Sequence, residues 1–361
     1  MTTRRFEVEP AIGRARTLHA EFYRDPALFE RARDAVFARS WQWVGDLDAV
    51  KVPGQVTPVT LLEGTLDEPL LLARDHDDRV HCLSNVCTHR GALVCEAGGV
   101  LPALRCRYHG RRFALDGRLL SMPEFDGVED FPAATDHLPA VPLARWGPWY
   151  FASLSPEVPF ERVVAEMQAR VGFCPLDQAV FDPSRSRDYL VRAHWALYCE
   201  NYLEGFHIPY VHAALNEALD YGSYRTELFP FANLQLGVAS GGDDVFDIPP
   251  GWPDHGTPVA AFYFWLFPNT MVNVYPWGLS LNVVKPLAPD RTKVSFLSYV
   301  WDPSRLDAGA GSGLDRVERE DEAVVESVQR GIRSRLYAQG RYSAARETGV
   351  HHFHRLLAER L

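Results

Sequence analysis

The chain has 361 residues, of which 47% are hydrophobic and 12% aromatic, enough for about two domains with real cores. This composition excludes a disordered chain and a fibre. The 37 Lys and Arg against 47 Asp and Glu leave a net charge of −10, which argues against nucleic acid or an anionic membrane as the main partner.

No targeting or membrane-spanning segment is predicted. The residues behind Arg4 and Arg5 form no apolar core, so we expect no signal peptide and a cytoplasmic protein. The longest apolar run, Val259 to Phe267, has nine residues, too few to cross a bilayer, and predicts a buried strand. In such a protein the six cysteines are not expected to form disulfides.

Changes in pattern divide the chain into three regions. Residues 1–40 are predicted to be a helical lead-in packed on the C-terminal region, because apolar residues recur at helical spacing: Leu18, Phe22, Leu28, Phe29, Ala32 and Val36. Residues 41–152 contain short alternating runs separated by turn signals such as Pro53-Gly54 and Asp116-Gly117, which predicts a small all-β domain.

Residues 153–361 mix helical and strand patterns and predict an α+β domain with an antiparallel sheet. The expected strands are Asp188 to Trp195, Leu234 to Ala239, Ala260 to Phe267, Met271 to Tyr275, Ser280 to Lys285 and Lys293 to Trp301. Gly309-Ala-Gly-Ser-Gly is expected to connect to a long helix over residues 314–337. Because it lacks the spacing of a phosphate-binding loop, no nucleotide role is predicted for it.

A paired cysteine and histidine pattern lies in the β region. It reads Cys87-Thr-His89, then sixteen residues, then Cys106-Arg-Tyr-His109. Two thiolates and two imidazoles form a four-ligand site, for which tetrahedral zinc is one candidate. Zinc fingers place both histidines on a helix, whereas each half here lies where a strand turns. A [2Fe–2S] cluster with two histidines on one iron explains the residue types and the asymmetric spacing.

This segment resembles the Rieske domain. The resemblance covers Asn85-Val-Cys-Thr-His-Arg-Gly91 and Cys106-x-Tyr-His-Gly110, and it implies that Cys87 and Cys106 hold one iron and His89 and His109 the other. Arg107 and Arg111 stand where the family commonly has proline and tryptophan. Neither is a ligand, but a nearby cation should favour the reduced cluster.

Two further histidines lie in the segment from Glu200 to His212. His207 and His212 are five residues apart, about 140° on a continuous helix, so an unbroken helix could not direct both at one metal. Pro209 lies between them and is expected to break the helix, force Ile208 out of the α region and swing His212 back. The pattern favours a metal site over two packed surface histidines.

The third ligand is expected in the last long helix. One stripe, predicted to be buried, has Asp321 as its only acid: Leu314, Val317, Asp321, Val324, Val328 and Ile332. A buried carboxylate needs a partner, which a metal provides, whereas Glu318 and Glu320 are predicted to be off the stripe and solvated. His207, His212 and Asp321 together make the 2-His-1-carboxylate set that holds Fe(II).

With both motifs, nearly the whole chain resembles the Rieske non-haem iron oxygenases. The resemblance implies a Rieske domain beside a helix-grip (START/SRPBCC-like) catalytic domain, and a homotrimer in which an acid links the cluster of one subunit to the iron of the next. Glu204 matches that acid and, three residues before His207, is expected to share its helix face. Glu200 is the alternative. Asn201 matches a position near the iron, although it could simply cap or pack.

The choline and carnitine monooxygenase branch carries Glu at the bridging position, as here, which favours a quaternary ammonium substrate. The alternative is an aromatic ring. The strand Phe262 to Phe267 and the run Tyr275-Pro-Trp277 could supply aromatic faces for either. Monooxygenation is expected, with O2 and with NAD(P)H acting only through a separate flavin and iron–sulfur reductase or a ferredoxin. A purely electron-carrying Rieske protein and a zinc-binding module are the rival functions.

Overall fold

The computed structural model describes residues 6–241, 244–306, 308–311 and 313–361, without the side chains of Ala218 and Leu314. Two compact units are formed: Ala38–Glu157, here called the β unit, and Met1–Phe37 with Val158–Leu361, here called the α+β unit. Residues 1–5 of the expected lead-in and Ser312 of the expected glycine-rich connector lie outside the described residues. Among the described helices, none is both long and apolar enough to cross a membrane.

The β unit, all of whose residues are described, is built from short strands in three antiparallel sheets. The sheet orders are β4-β3-β2-β5, β1-β10-β9 and β6-β7-β8. The strands are β1 Gln42–Asp46, β2 Gln55–Leu61, β3 Glu68–Arg74, β4 Val80–Ser84, β5 Gly99–Val100, β6 Leu104–Arg105, β7 Arg112–Phe113, β8 Leu119–Ser121, β9 Leu143–Trp146 and β10 Trp149–Ala152.

Strand β3 shows why this unit contains continuous apolar runs. Its residues 70–73 are all buried, and alternation sends Leu71 and Ala73 to one core cluster and Leu70 and Leu72 to another. Because both faces of the strand are covered, the sequence shows a run rather than an alternation. The cluster around Leu71 also contains the predicted ligand Cys87 and its partner Cys106.

The α+β unit is built, in its described part, on an eight-stranded antiparallel sheet in the order β11-β18-β17-β16-β15-β14-β13, with β12 also paired to β18. The strands are β11 Val180–Phe181, β12 Arg187–Val191, β13 Arg225–Phe229, β14 Ala232–Val238, β15 Val259–Leu266, β16 Thr270–Tyr275, β17 Gly278–Ala288 and β18 Arg291–Val300. The helices are α1 Pro26–Ala35, α2 Phe160–Val171, α3 Trp195–Tyr202, α4 Ile208–Val211, α5 Ala213–Ala218, α6 Leu314–Ile332 and α7 Thr348–Ala358.

One face of this sheet is unusually polar for buried structure. Gln235 pairs with Tyr263, Tyr263 with Asn273, and Asn282 with Phe296 across neighbouring strands, so strand alternation places these side chains on the same face. The alternate positions are apolar and buried, as in Leu234, Phe264, Val272 and Leu281. A polar face inside a folded unit predicts a cavity beside it.

The fold class is confirmed, with three local corrections. The strand expected at Asp188 to Trp195 ends at Val191, because His194 caps α3 by accepting the Ala196 N–H. In its described residues, 6–40, the helical lead-in contains α1, capped by Asp25 with Pro26 in its first turn, and a short 3-10 helix at Phe37–Arg39. The helix expected to reach Tyr337 ends at Ile332.

Candidate metal centres and active site

The four residues of the first motif lie on two loops of the same construction. Cys87 follows β4, and its N–H and C=O bond to Ala92 and Gly91. Cys106 follows β6, and its N–H and C=O bond in the same way, to Arg111 and to a second glycine, Gly110. Both glycines have positive φ, 72° and 76°, the left-handed conformation that closes each loop and that glycine adopts without strain.

These loops bring the four predicted donors together. The Nδ1 atoms of His89 and His109 are 3.1 Å apart, and the buried thiols of Cys87 and Cys106 hydrogen-bond to each other. Burial and the charges of His109 and Arg111 lower the pKa of His89, which favours the neutral ring that binds metal. Neither histidine lies on a helix, which argues against a zinc finger, and two sulfurs beside two imidazoles fit a Rieske cluster.

Arg111 is buried beside this site, whereas Arg107 is exposed. The Arg111 guanidinium pairs with the carboxylate of Asp136 at 2.6 Å and donates to the Asp136 carbonyl at 3.0 Å. Its Nε has no hydrogen-bond partner among the described residues. A buried cation so close to the thiol of Cys87 is a permanent charge at the cluster position.

The predicted iron ligands lie around an interruption between helices, but Pro209 does not cause it. Helix α3 ends at Tyr202, and Pro209 lies in the first turn of α4, with Ile208 helical rather than extended. The turn between the helices contains Glu204, so the expectation that Glu204 and His207 share a helix face is wrong. The helical backbone is interrupted again at His212, which follows the last residue of α4 with φ −114° and ψ 76°. This interruption turns the His212 ring back towards His207.

His207, His212 and Asp321 converge on one point. One ligand atom of each lies within 4.8 Å of the others. Asp321 Oδ1 is 3.0 Å from His212 Nε2 and 3.5 Å from His207 Nε2. Two imidazole nitrogens and one carboxylate oxygen are the donor set that suits Fe(II) with open positions.

Each histidine is oriented by its own acid. Glu204 Oε1 lies 2.7 Å from His207 Nδ1, and the other Glu204 oxygen accepts the backbone N–H of His207 at 3.1 Å. Glu320 Oε2 lies 2.7 Å from His212 Nδ1. A carboxylate at Nδ1 holds the proton there and leaves the Nε2 lone pair for a metal. Sequence reasoning missed Glu320, whose adjacency to Asp321 was the available signal.

The pKa shifts follow from this charge pattern. Burial lowers the pKa of His207, but the hydrogen bonds of Asp321 and Glu204 outweigh it and raise the value to about 9. Burial raises the pKa of Asp321, and its bonds to the two histidines outweigh that and lower it. A metal dication would replace the protons that the histidines otherwise hold.

The buried stripe of α6 is rotated from the predicted one. The side chains that face inward are Glu318, Asp321, Val325, Gln329 and Ile332, while Val328 is 43% exposed. The Leu314 position of the predicted stripe lies outside the described side chains. Asp321 is therefore not the only acid on the buried face, and the expectation that Glu318 is solvated is wrong.

A cavity of about 110 Å³ lies beside the triad and against the polar face of the sheet. The two expected segments supply only part of its aromatic lining, through Tyr263 and Tyr275. The other aromatic residues of the lining are Tyr198, Tyr202, Tyr224 and Phe296. Trp277 stacks on Tyr275 but does not line the cavity, and Phe262 and Phe264 lie on the opposite face of the sheet.

The two candidate bridging acids have different surroundings. Glu204 lines the cavity and contacts His207, whereas Glu200 accepts the Tyr23 hydroxyl at 2.7 Å and lies 3.0 Å from His354. Asn201 also lines the cavity. The geometry therefore favours Glu204 for a role at the iron ligand.

Comparison with known proteins finds a match for both regions of the chain. Residues 40–132 match the Rieske [2Fe-2S] domain, and residues 176–361 match the ring hydroxylating alpha subunit (catalytic domain). The chain is 32% identical to choline monooxygenase of Arabidopsis thaliana over 99% of this chain and 85% of the relative. It is 29% identical to the carnitine monooxygenase oxygenase subunit of Escherichia coli K12, over 95% and 93%.

Solved structures share the fold. A quaternary ammonium Rieske monooxygenase in complex with L-carnitine superposes with a TM-score of 0.76 at 24% identity, covering 98% of this chain and 99% of that one. Naphthalene 1,2-dioxygenase from Rhodococcus sp. gives 0.73 at 18% identity, covering 95% and 93%. The matches confirm a Rieske cluster and a mononuclear iron as the cofactors. The chain therefore belongs to the Rieske-type ring-hydroxylating oxygenases, as an alpha subunit with monooxygenase relatives.

Proposed function

We propose that this chain is the terminal oxygenase of a multicomponent monooxygenase that oxidises a quaternary ammonium compound of the choline, carnitine or betaine kind. One oxygen atom of O2 enters a C–H bond and the other leaves as water, with a pair of electrons from a separate reductase and a pair of protons. Hydroxylation of a carbon bonded to nitrogen gives a product that can collapse and release an aldehyde. The similarity to choline and carnitine monooxygenases supports this substrate class.

The observation that carries the proposal is the character of the cavity. Aromatic faces and carboxylates line it, and among its described lining residues there is no lysine or arginine. A quaternary ammonium has no N–H to donate, so aromatic faces and negative charge are what hold it. A neutral aromatic ring would use the same tyrosines and gain nothing from the acids.

The geometry supports the following proposed residue roles. His207, His212 and Asp321 would hold the iron, which when bound supplies the centre for O2 activation. Cys87, Cys106, His89 and His109 would hold the cluster that supplies electrons. Glu204 and Glu320 would keep the two iron histidines in the metal-binding tautomer, and Asn201, which lines the cavity, would contact the substrate.

Glu204 is also proposed to link the iron site to the cluster of a neighbouring subunit in a homotrimer. Its contact with His207 Nδ1 supports this role. Replacing Glu204 by glutamine should weaken iron binding, so the variant is loaded with excess Fe(II) and checked for trimers by sedimentation equilibrium; in that loaded trimer, single-turnover oxidation of the reduced cluster should slow. Unchanged electron transfer in a loaded trimer would refute the link. Glu200→Gln, four residues earlier in the chain, is the matched control.

Oxygen uptake with a panel of ligands tests the substrate class. We expect the loaded enzyme, supplied with a reductase, to consume O2 with choline, L-carnitine or glycine betaine and to release formaldehyde or a hydroxylated product. Aromatic acids of similar size are expected to give only background uptake. Product formation from aromatic acids alone would overturn the proposal in favour of ring hydroxylation.

A further inference from the structure

Glu318 is a buried acid of the cavity wall that has no assigned role. Glu318 is only 4% exposed to solvent, and it lines the cavity together with Tyr198. The Tyr198 hydroxyl donates to Glu318 Oε2 at 2.7 Å. The other oxygen, Oε1, is buried and has no hydrogen-bond partner among the described residues. An unpartnered buried carboxylate oxygen is costly and calls for a ligand.

The charges that act most on Glu318 are of its own sign. Asp321, Glu322 and Asp315 act on it, and no basic residue lines the cavity in the described part of the chain. Burial, with these acids, raises the pKa of Glu318 to about 8, against the opposing Tyr198 bond, so the empty cavity favours the protonated acid and a bound cation would favour the carboxylate. The other lining acids, Glu204 and Asp321, are already engaged with histidines. Glu318 is therefore the cavity acid that is paired with no histidine or basic side chain among the described residues.

We propose that Glu318 is the counter-ion that selects a cationic substrate, with the cationic head held between its carboxylate and the tyrosine faces of the cavity. This inference rests on the proposed quaternary ammonium substrate and adds the residue that distinguishes a cation from a neutral molecule of the same shape. Tyr198 positions the carboxylate by its hydrogen bond to Oε2, which leaves Oε1 for the substrate. Since the described lining offers no cation for a carboxylate, a choline-like monocation is preferred to a zwitterion.

Choline and its neutral carbon isostere, 3,3-dimethylbutan-1-ol, separate charge from shape. Both molecules carry the same hydroxyl group. Gln235 lies on the cavity wall, and its Oε1, which has no hydrogen-bond partner in the described structure, can accept from that hydroxyl in either molecule. Dissociation constants are measured by anaerobic calorimetry on the metal-loaded enzyme. Wild type should bind choline at least about tenfold more tightly than the alcohol.

Glu318→Gln keeps the size of the side chain and removes its charge. We expect choline to bind at least about tenfold more weakly, and the alcohol to change by less than about twofold. Glu318→Asp, which retains the charge, should retain the preference for choline and serves as the second variant if the glutamine form fails to fold. Glu326→Gln, about two turns further along the same helix and outside the cavity lining, should match wild type.

Equal loss of both ligands, or an unchanged preference for choline, would overturn the role of Glu318. Loss of iron from the Glu318→Gln enzyme in metal analysis would also overturn it, because the residue would then act through the metal site. Wild-type enzyme that binds a carboxylate-bearing betaine but not choline would refute this inference and keep the proposed function. Binding of no quaternary ammonium by wild type would refute both.

Discussion

The two metal-binding regions of this chain are assembled in opposite ways. The donors of the cluster site come from two equivalent loops of one β unit, with His89 and His109 only 20 residues apart. The donors of the iron site come from the residues that flank α4 and from α6, and His212 and Asp321 are 109 residues apart. The first site is nearly complete once its local loops form, while the second exists only after α6 packs.

The surroundings of the two regions differ in charge as well. A buried cation, Arg111, lies beside the cluster site, whereas carboxylates surround the iron histidines. A cation stabilises the extra electron of a reduced cluster, and carboxylates stabilise bound iron and a cationic ligand. The cluster site, with a buried cation beside it, is suited to storing an electron. The iron site, which lies beside a cavity, is suited to chemistry on a substrate.

Asp321→Ala should have the largest effect and should affect only the iron site, because Asp321 is the charged donor of the triad. We expect oxygenation to stop and iron per chain to fall from about three to about two, with the EPR signal of the reduced cluster retained. Cys106→Ser should give the converse, losing the cluster signal while the mononuclear site still binds iron. Glu322→Ala is the matched control for the helix. Undiminished iron in Asp321→Ala would refute the ligand role.

Glu320→Gln probes the orienting acid of the iron site. The neutral amide at His212 Nδ1 no longer fixes the metal-binding tautomer, so we expect iron affinity to fall about 10- to 100-fold, measured by chelator competition. The cluster signal should not change. Glu322→Gln should keep the wild-type affinity, and an equally tight Glu320→Gln site would show that His212 needs no such partner.

Arg111→Gln tests the tuning charge of the cluster region. Removal of the cation should destabilise the reduced cluster and lower its reduction potential by a few tens of millivolts in an EPR-monitored titration. The Arg111→Gln, Asp136→Asn double variant removes both members of the ion pair and should show a smaller shift. A potential that stays the same or rises in the single variant would contradict this role.

His194→Asn tests a smaller, purely structural effect in the α+β unit. Burial lowers the pKa of His194 to about 3, so the unfolded chain takes up a proton near pH 6.5 that the folded chain resists. Stability is therefore full above about pH 6.5 and falls below it, by about 1.4 kcal/mol per pH unit from this residue. Asparagine keeps the cap on α3, so the His194→Asn variant should lose only this residue's part of the dependence of the free energy of unfolding on pH, measured by urea unfolding at several pH values. The same pH dependence in the variant and the wild type would refute the role of His194.

The cluster motif could be predicted because its chemistry is local. Cys87 and His89, and Cys106 and His109, are neighbours in the chain, and the glycines that close their loops are visible at fixed positions. Asp321 was found by a weaker signal, helical periodicity, and that signal was rotated by about one residue. The break near Pro209 was expected for the wrong reason, although the histidines do meet.

The sequence by itself determined the fold class, the family and the donor sets, because spacing and residue type are properties of the chain. Only the tertiary structure decided that Glu204 rather than Glu200 contacts His207, that Glu320 orients His212 and that Glu318 is buried. The physical reason is that hydrophobic patterning identifies surfaces covered by apolar groups. A cavity wall is buried and polar at once, so its acids look like solvated residues until the sheet and α6 enclose them.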